Sequence, residues 1–118
     1  MRTELEAEIA GGRVWGAVTV AALMDIAAHR DDFSAVLARC ARGNAPDILA
    51  VLKAALRAGG TVKPAEAEGE ARRLIEEGGL QACGEFCVRL LTHAFDKQDE
   101  ADFQRAEEAP ASPSEAET

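Results

Sequence analysis

Large aromatic side chains are almost absent from this sequence. Tyrosine does not occur, tryptophan occurs once and phenylalanine four times, so that aromatics make up 4% of the 118 residues. Hydrophobic residues nevertheless reach 47%, and much of that fraction is alanine. Such a composition predicts a core of Leu, Val, Ile and Ala on closely packed helices, and the length suits one compact domain.

Basic residues are also scarce relative to acidic ones. Thirteen Lys and Arg stand against 21 Asp and Glu, which gives a net charge of -8. Nucleic-acid binding requires a basic face that neutralises phosphates, and attraction to an anionic membrane surface requires basic residues as well. The charge therefore argues against both kinds of partner.

Long apolar runs and a cysteine framework are missing too. No apolar run approaches the ~18 residues that are needed to span a bilayer, and the segment Met1–Glu4 does not lead into the apolar stretch of a secretory signal. The three cysteines are an odd number, at spacings that indicate no disulfide framework. We expect a cytoplasmic protein in a reducing compartment.

The hydrophobic period changes near residue 19. Apolar residues alternate with polar ones on both sides of Gly11-Gly12, which predicts an antiparallel hairpin over residues 4–18. Helical spacing follows, with Thr19 as a predicted N-cap and Val20, Leu23, Met24 and Ala27 recurring on one helix face.

About five short helices are predicted after the hairpin. They cover roughly 20–29, 33–42 after an Asp31 or Asp32 cap, the segment "NAPDILAVLKAALRAGG" ending at Gly59-Gly60, 64–77 ending at Gly78-Gly79, and 80–95. We expect an α+β fold in which residues 1–95 form a single, mostly helical domain. Residues 96–118 are predicted to be an acidic, largely disordered tail, with a helical turn around 101–108.

The chemistry-bearing residues favour structural roles. Cys83 and Cys87, four residues apart, share a helix face with Leu80, Leu90 and Leu91; we predict that both are buried and bind no metal, and that Cys40 is buried likewise. The run His29-Arg30-Asp31-Asp32 is typical of one helix end followed by the cap of the next. No glycine pair matches a phosphate-binding motif, so we expect no enzyme activity and no cofactor.

Trp15 is the residue most suggestive of binding. It shares one face of the second predicted strand with Arg13 and Ala17, and it serves either as a lid on the core or as an exposed anchor. Because a lone hairpin also has free edges, we expect partner contacts at Arg13, Trp15 and Ala17.

The order of these features resembles a known family. A short strand pair leads into "VTVAALMDIAAH", then "DDFSAVLARCARG", "APDILAVLKAALRAGG" and "EEGGLQACGEFCVRLLTHAF". This order resembles the small tail-assembly proteins of siphophage-like prophages and gene transfer agents, which are encoded between the tail tube and tape-measure genes. The resemblance covers about residues 4–96, and Asp47–Gly60 is its most specific part.

The resemblance implies a tail assembly chaperone that coats the tape-measure protein while the tube polymerises. It implies the tape-measure protein as partner, with the tail tube protein and a second copy of the chain as further candidates. Some members are labelled tail tube proteins, so a structural tail component is an alternative. A generic helical interaction or regulatory module and a small-ligand binder are the other two.

Overall fold

A hairpin and four α-helices make up the part of the chain that the computed structural model describes, which is the backbone of residues 2–108 and the side chains of residues 3–96. The strands are β1 (Arg2–Ile9) and β2 (Gly12–Thr19), and the helices are α1 (Val20–His29), α2 (Phe33–Ala41), α3 (Ala45–Gly59) and α4 (Ala67–Glu108), with a short 3-10 helix at Pro64–Glu66. The predicted α+β class, mostly helical with an N-terminal hairpin, is confirmed.

A two-residue turn at Ala10 and Gly11 closes the hairpin. Their φ angles are positive, 56° and 78°, as in the type I′ turn whose twist matches that of the flanking strands. Ile9 pairs with Gly12 next to the turn, and the antiparallel register extends from there to the far end of both strands.

One face of the hairpin packs on the helices and the other faces outward. Thr3, Ile9, Val14, Gly16 and Val18 are buried on the inner face, where Gly16 lies against Phe86 and Ala55. Glu4, Glu6 and Glu8 are exposed on the outer face of β1. The sheet thus needs the helices beneath it, as expected of a hairpin that is marginal in water by itself.

Side-chain caps define where the first three helices begin. The Thr19 hydroxyl accepts a hydrogen bond from the Ala22 N–H at 3.1 Å, and the Asp32 carboxylate accepts one from the Ala35 N–H at 3.0 Å. The sequence predicted both caps. Asn44 caps α3 in the same way.

Helix α3 forms the centre of the core and packs against both β2 and α4. Its buried residues include Ile48, Val51, Leu52, Ala55 and Leu56. The predicted stripe is confirmed at three positions, whereas Leu49 is only half-buried. Gly60, with a φ of 80°, ends the helix in the left-handed conformation that glycine favours.

Helix α4 is interrupted at Gly79, where φ is 89° and ψ is 156°. These angles lie outside the helical region, so the predicted stop at Gly78-Gly79 corresponds to a real break between two helical segments. The first segment begins at Ala67, after the 3-10 helix. The second runs from residue 80 through Glu108 and includes the turn expected around 101–108; residues 109–118 of the predicted disordered tail lie outside the described residues.

Two predicted apolar stripes require correction. In the second segment of α4, Leu80 is 38% exposed, while Phe86, expected at the flank, is 1% exposed. In α1, Val20 and Met24 are 45% and 67% exposed, and Ile26 is the buried residue. The period was right in both helices, but periodicity fixes the spacing of a stripe and not the angle at which the helix is set down.

Candidate protein-binding surface

The register of the hairpin determines which peptide groups point away from it. In an antiparallel pair joined by a two-residue turn, the residues that flank the turn exchange both backbone hydrogen bonds, and the pattern then alternates along the strands. Ile9 and Gly12 are therefore a hydrogen-bonded pair, whereas Glu8–Arg13 and Glu6–Trp15 are not. The N–H and C=O groups of these four residues point to the outer edges of β1 and β2.

The end of α3 covers the edge of β2 at Trp15. A Cβ atom built at Gly59 would lie 2.8 Å from the Trp15 carbonyl oxygen and 3.2 Å from its ring atom Cδ1. Only a glycine permits so close an approach of helix and strand. The β2 edge is thus occupied at this point by the chain itself.

The edge of β1 has no neighbouring strand among the described residues, because the sheet contains β1 and β2 alone. The peptide groups that face this edge near its middle belong to Glu6 and Glu8. Both side chains are exposed, and Glu6 forms an ion pair of 3.4 Å with Arg13 across the outer face. This edge combines directional backbone groups with negative charge.

The three residues predicted to contact a partner lie in different environments. Arg13 is exposed, and its side chain retains 81% of its accessible surface despite the pairing with Glu6. Trp15 is half-buried against Gly59, between the lid and anchor interpretations. Ala17 is fully buried within the chain, so a partner would reach its backbone edge and not its methyl group.

Helix α1 presents a second apolar surface. Val20 and Met24 are the large exposed residues, and Ala21, Ala27 and Ala28 extend the same outward face. Small residues allow a partner element to approach closely. The face is short, since α1 has only 10 residues, so it resembles an accessory contact more than a complete interface.

A buried carboxylate links α1, α2 and α3, and the sequence gave no sign of it. Asp47 is 0% exposed and accepts hydrogen bonds from Arg30 Nε at 3.0 Å and from Arg39 Nε at 2.6 Å. Burial raises the pKa of Asp47, but the hydrogen bonds from Arg39 and Arg30 outweigh that effect and bring the pKa below its usual range. Asp31 adds a contact to Arg39 at 3.3 Å.

This cluster differs from the arrangement that the sequence predicted for residues 29–32. Asp32 caps α2 as expected, but Arg30 reaches the Asp47 carboxylate instead of only facing the end of α1. All hydrogen-bonding capacity of the carboxylate is directed at the two arginines and its own helix turn. The cluster therefore stabilises the packing of three helices and offers no free base for chemistry.

The cysteines lie in the core, as predicted. Cys40, Cys83 and Cys87 are 0–1% exposed, and the Cys87 thiol lies 3.7 Å from the Ile48 carbonyl oxygen. Contact with Cys40, together with burial, raises the pKa of Cys87 well above its usual value, and burial raises that of Cys83. These conditions favour unreactive thiols; absence of bound metal stays a prediction.

Surface clefts do not bring polar groups together as a small-ligand site requires. A cleft of about 690 Å³ lies between the end of α2 and the second segment of α4. Its apolar lining includes Leu80 and Val88, but its charged residues, Arg42, Glu85 and Arg89, are exposed to solvent. Water competes for every polar group that a ligand would use there.

The described residues also limit other kinds of site. They contain no group of three His, Cys, Asp or Glu side chains placed to hold a metal ion. Within the same residues, no helix combines the length and the apolar character that crossing a membrane requires.

Comparisons of the chain with models of protein families, with curated proteins and with solved structures find no match.

Proposed function

We propose that this chain is a non-enzymatic tail assembly chaperone of a phage-like particle, acting in the host cytoplasm. Its client is the tape-measure protein, which it binds before the tube forms. The observation that carries the proposal is the open edge of β1, where the peptide groups of Glu6 and Glu8 face away from β2. An edge of this kind binds another polypeptide through its backbone and tolerates many client sequences.

Two properties of the edge suit transient binding. Two N–H and two C=O groups are on offer at Glu6 and Glu8, and hydrogen bonds of this kind contribute roughly 0.5–1.5 kcal/mol each. Their sum corresponds to an affinity weaker than micromolar for one copy, so occupancy of a long client needs many copies. Contacts this weak release the client when tube subunits assemble.

The overall charge supports the same role. A net charge of -8 disfavours self-association and keeps a complex soluble. A chaperone bound in many copies along an extended client would confer that charge on the whole assembly.

The fold favours a chaperone over a structural tube component. A tail tube is lined by a continuous sheet, to which every subunit contributes several strands. The described residues contain one pair of strands and four α-helices, and one edge of that pair is covered by α3 at Trp15. A tube subunit would need more strand than this.

A generic interaction module outside any phage system is the second candidate. The exposed apolar face of α1 around Val20 and Met24 favours it, because such a face suits a helical partner of any origin. The genomic neighbourhood separates the two candidates: a long tape-measure gene beside this one supports the chaperone, and its absence supports the generic module.

Co-expression with the tape-measure protein of the same gene cluster tests the proposal. The tagged chain should capture the tape-measure protein, and deletion of residues 109–118 should leave capture unchanged, since that segment has few apolar residues to bury. Quantitative mass spectrometry of purified particles should find the chain absent or nearly so. A copy number close to that of the tube protein would refute the chaperone and support the structural component.

A further inference from the structure

The two sides of the β1 edge have different chemistry. On the outer side, Glu6 and Glu8 are exposed. On the inner side, Leu5 and Ala7 are only half-buried and pack at the border of the core, although inner-face residues nearer the strand ends, Thr3 and Ile9, are buried. A strand added beside β1 would complete the cover of Leu5 and Ala7 and would bring its outward side chains beside the glutamates.

We propose that the β1 edge binds an extended segment of another protein in which Lys or Arg alternates with small apolar residues. The basic side chains lie beside Glu6 and Glu8 on the outer face, and the apolar ones extend the inner face beyond Leu5 and Ala7. The backbone of the segment bonds the outward peptide groups of the two glutamates. The inference rests on the proposed function only for the identity of the protein that carries the segment.

Charge excludes a second copy of this chain as the occupant. Two β1 strands side by side would place their Glu6 and Glu8 side chains next to one another, and like charges on neighbouring strands are destabilising. Acidic residues on an edge strand are a known device against such self-pairing. The same charges attract a basic strand.

The terminal segment of this chain is excluded by the same reasoning. Residues 109–118 contain Glu115 and Glu117 and neither Lys nor Arg. They offer no positive charge to the glutamates of β1, so the occupant has to come from elsewhere.

A synthetic heptapeptide of alternating Lys and Val, acetylated and amidated at its ends, tests the inference directly. Calorimetry should detect binding to the full-length protein, and NMR should show the largest amide shifts at Glu6 and Glu8. A heptapeptide of alternating Glu and Val is the charge control and should not bind. Equal binding of both peptides would refute the charge complementarity.

N-methylation separates strand pairing from simple charge attraction. One heptapeptide is methylated at the lysine amides and another at the valine amides, so that each blocks the N–H groups on one edge only. The set that faces β1 should abolish binding, and the other should leave it unchanged. Equal affinity of both methylated peptides would refute pairing with the strand edge.

A matched pair of protein variants locates the site. Glu6→Lys should weaken peptide binding by about tenfold, since it replaces an attraction by a repulsion beside the partner strand. Glu85→Lys makes the same change of charge at an exposed position in the cleft between α2 and α4 and should have little effect. Equal weakening by both variants would refute the edge as the binding site.

These measurements use no tape-measure protein, so they separate the inference from the proposed function. Peptide binding that obeys the methylation pattern, together with failure to capture the tape-measure protein, would leave the edge inference standing and refute the chaperone.

Discussion

Replacing Gly59 by alanine should destabilise this protein, although the same replacement usually stabilises a helix. Alanine is favoured over glycine by up to about 1 kcal/mol inside a helix. At Gly59, however, the new methyl group would stand 2.8 Å from the Trp15 carbonyl oxygen, where ordinary contacts are 3.4–4 Å. The obstacle is backbone of a paired strand, which cannot rotate away as a side chain would.

The expected size of the effect follows from these two opposing contributions. Overpacking of this kind costs roughly 1–3 kcal/mol, and the gain in helix propensity is small because Gly59 is the last residue of α3. Gly59→Ala should therefore lower the free energy of unfolding by about 1–2 kcal/mol. In a domain of this size, that corresponds to a loss of about 4–8 °C in melting temperature for each kcal/mol.

Gly69→Ala is the matched control. Gly69 lies in the first segment of α4, and a Cβ atom there would meet nothing within 4 Å. This variant should be more stable than the parent by about 0.5–1 kcal/mol. Urea unfolding followed by circular dichroism gives both values, and an unchanged dependence on urea would show that the unfolded states are comparable.

Trp15 provides a second readout, because it is the one tryptophan in the chain and lies beside Gly59. Gly59→Ala should shift its fluorescence in the native state, and Gly69→Ala should not. If Gly59→Ala were as stable as Gly69→Ala with unaltered fluorescence, the contact between α3 and the edge of β2 would be wrong.

Three further predictions concern the interior. Leu52→Ala should cost roughly 2–5 kcal/mol in unfolding free energy, because Leu52 is 0% exposed; an unchanged urea midpoint would contradict its place in the core. Asp47→Asn should cost about 2–3 kcal/mol at neutral pH, below the usual 3–5 for a broken buried pair because the arginines reach solvent. Since the folded pKa of Asp47 is depressed, its contribution is complete at neutral pH and is lost as pH falls below about 4, so urea midpoints of the variant should fall less steeply with acid than those of the parent. Cys83 and Cys87 should react with a thiol reagent only as fast as the protein opens, and purified protein should contain no stoichiometric zinc; rapid labelling in the native state would refute their burial.

Local chemistry made much of the fold predictable from the sequence. The caps at Thr19 and Asp32 and the break at Gly79 depend on residues close together in the chain, and alternation about Gly11-Gly12 marked the hairpin. The outward setting of Met24 was not predictable in this way, because it depends on where α1 lies against α3.

The binding surface was predictable only in part. Alternation identified a strand with a glutamate row, but the covering of the β2 edge depends on Gly59, 44 positions beyond Trp15 in the sequence. Asp47 was missed for the same reason: its partners Arg30 and Arg39 are 17 and 8 residues away. An acidic residue in a first helical turn is ordinary by itself, and its burial arises only when three helices meet.

The break in α4 has a consequence for how the protein opens. A helix propagates cooperatively along its hydrogen bonds, and that cooperativity stops at Gly79, whose angles are not helical. Ala67, Ala71 and Leu74 anchor the segment before the break, whereas Phe86, Leu90 and Leu91 are among a larger set that anchors the segment after it. Hydrogen exchange should therefore resolve two opening units with separate free energies, the earlier one less protected. Since Gly78 lies against Ile9 beside the hairpin turn, the less protected unit is the one in contact with the hairpin, and it can loosen or tighten there while the rest of α4 stays folded.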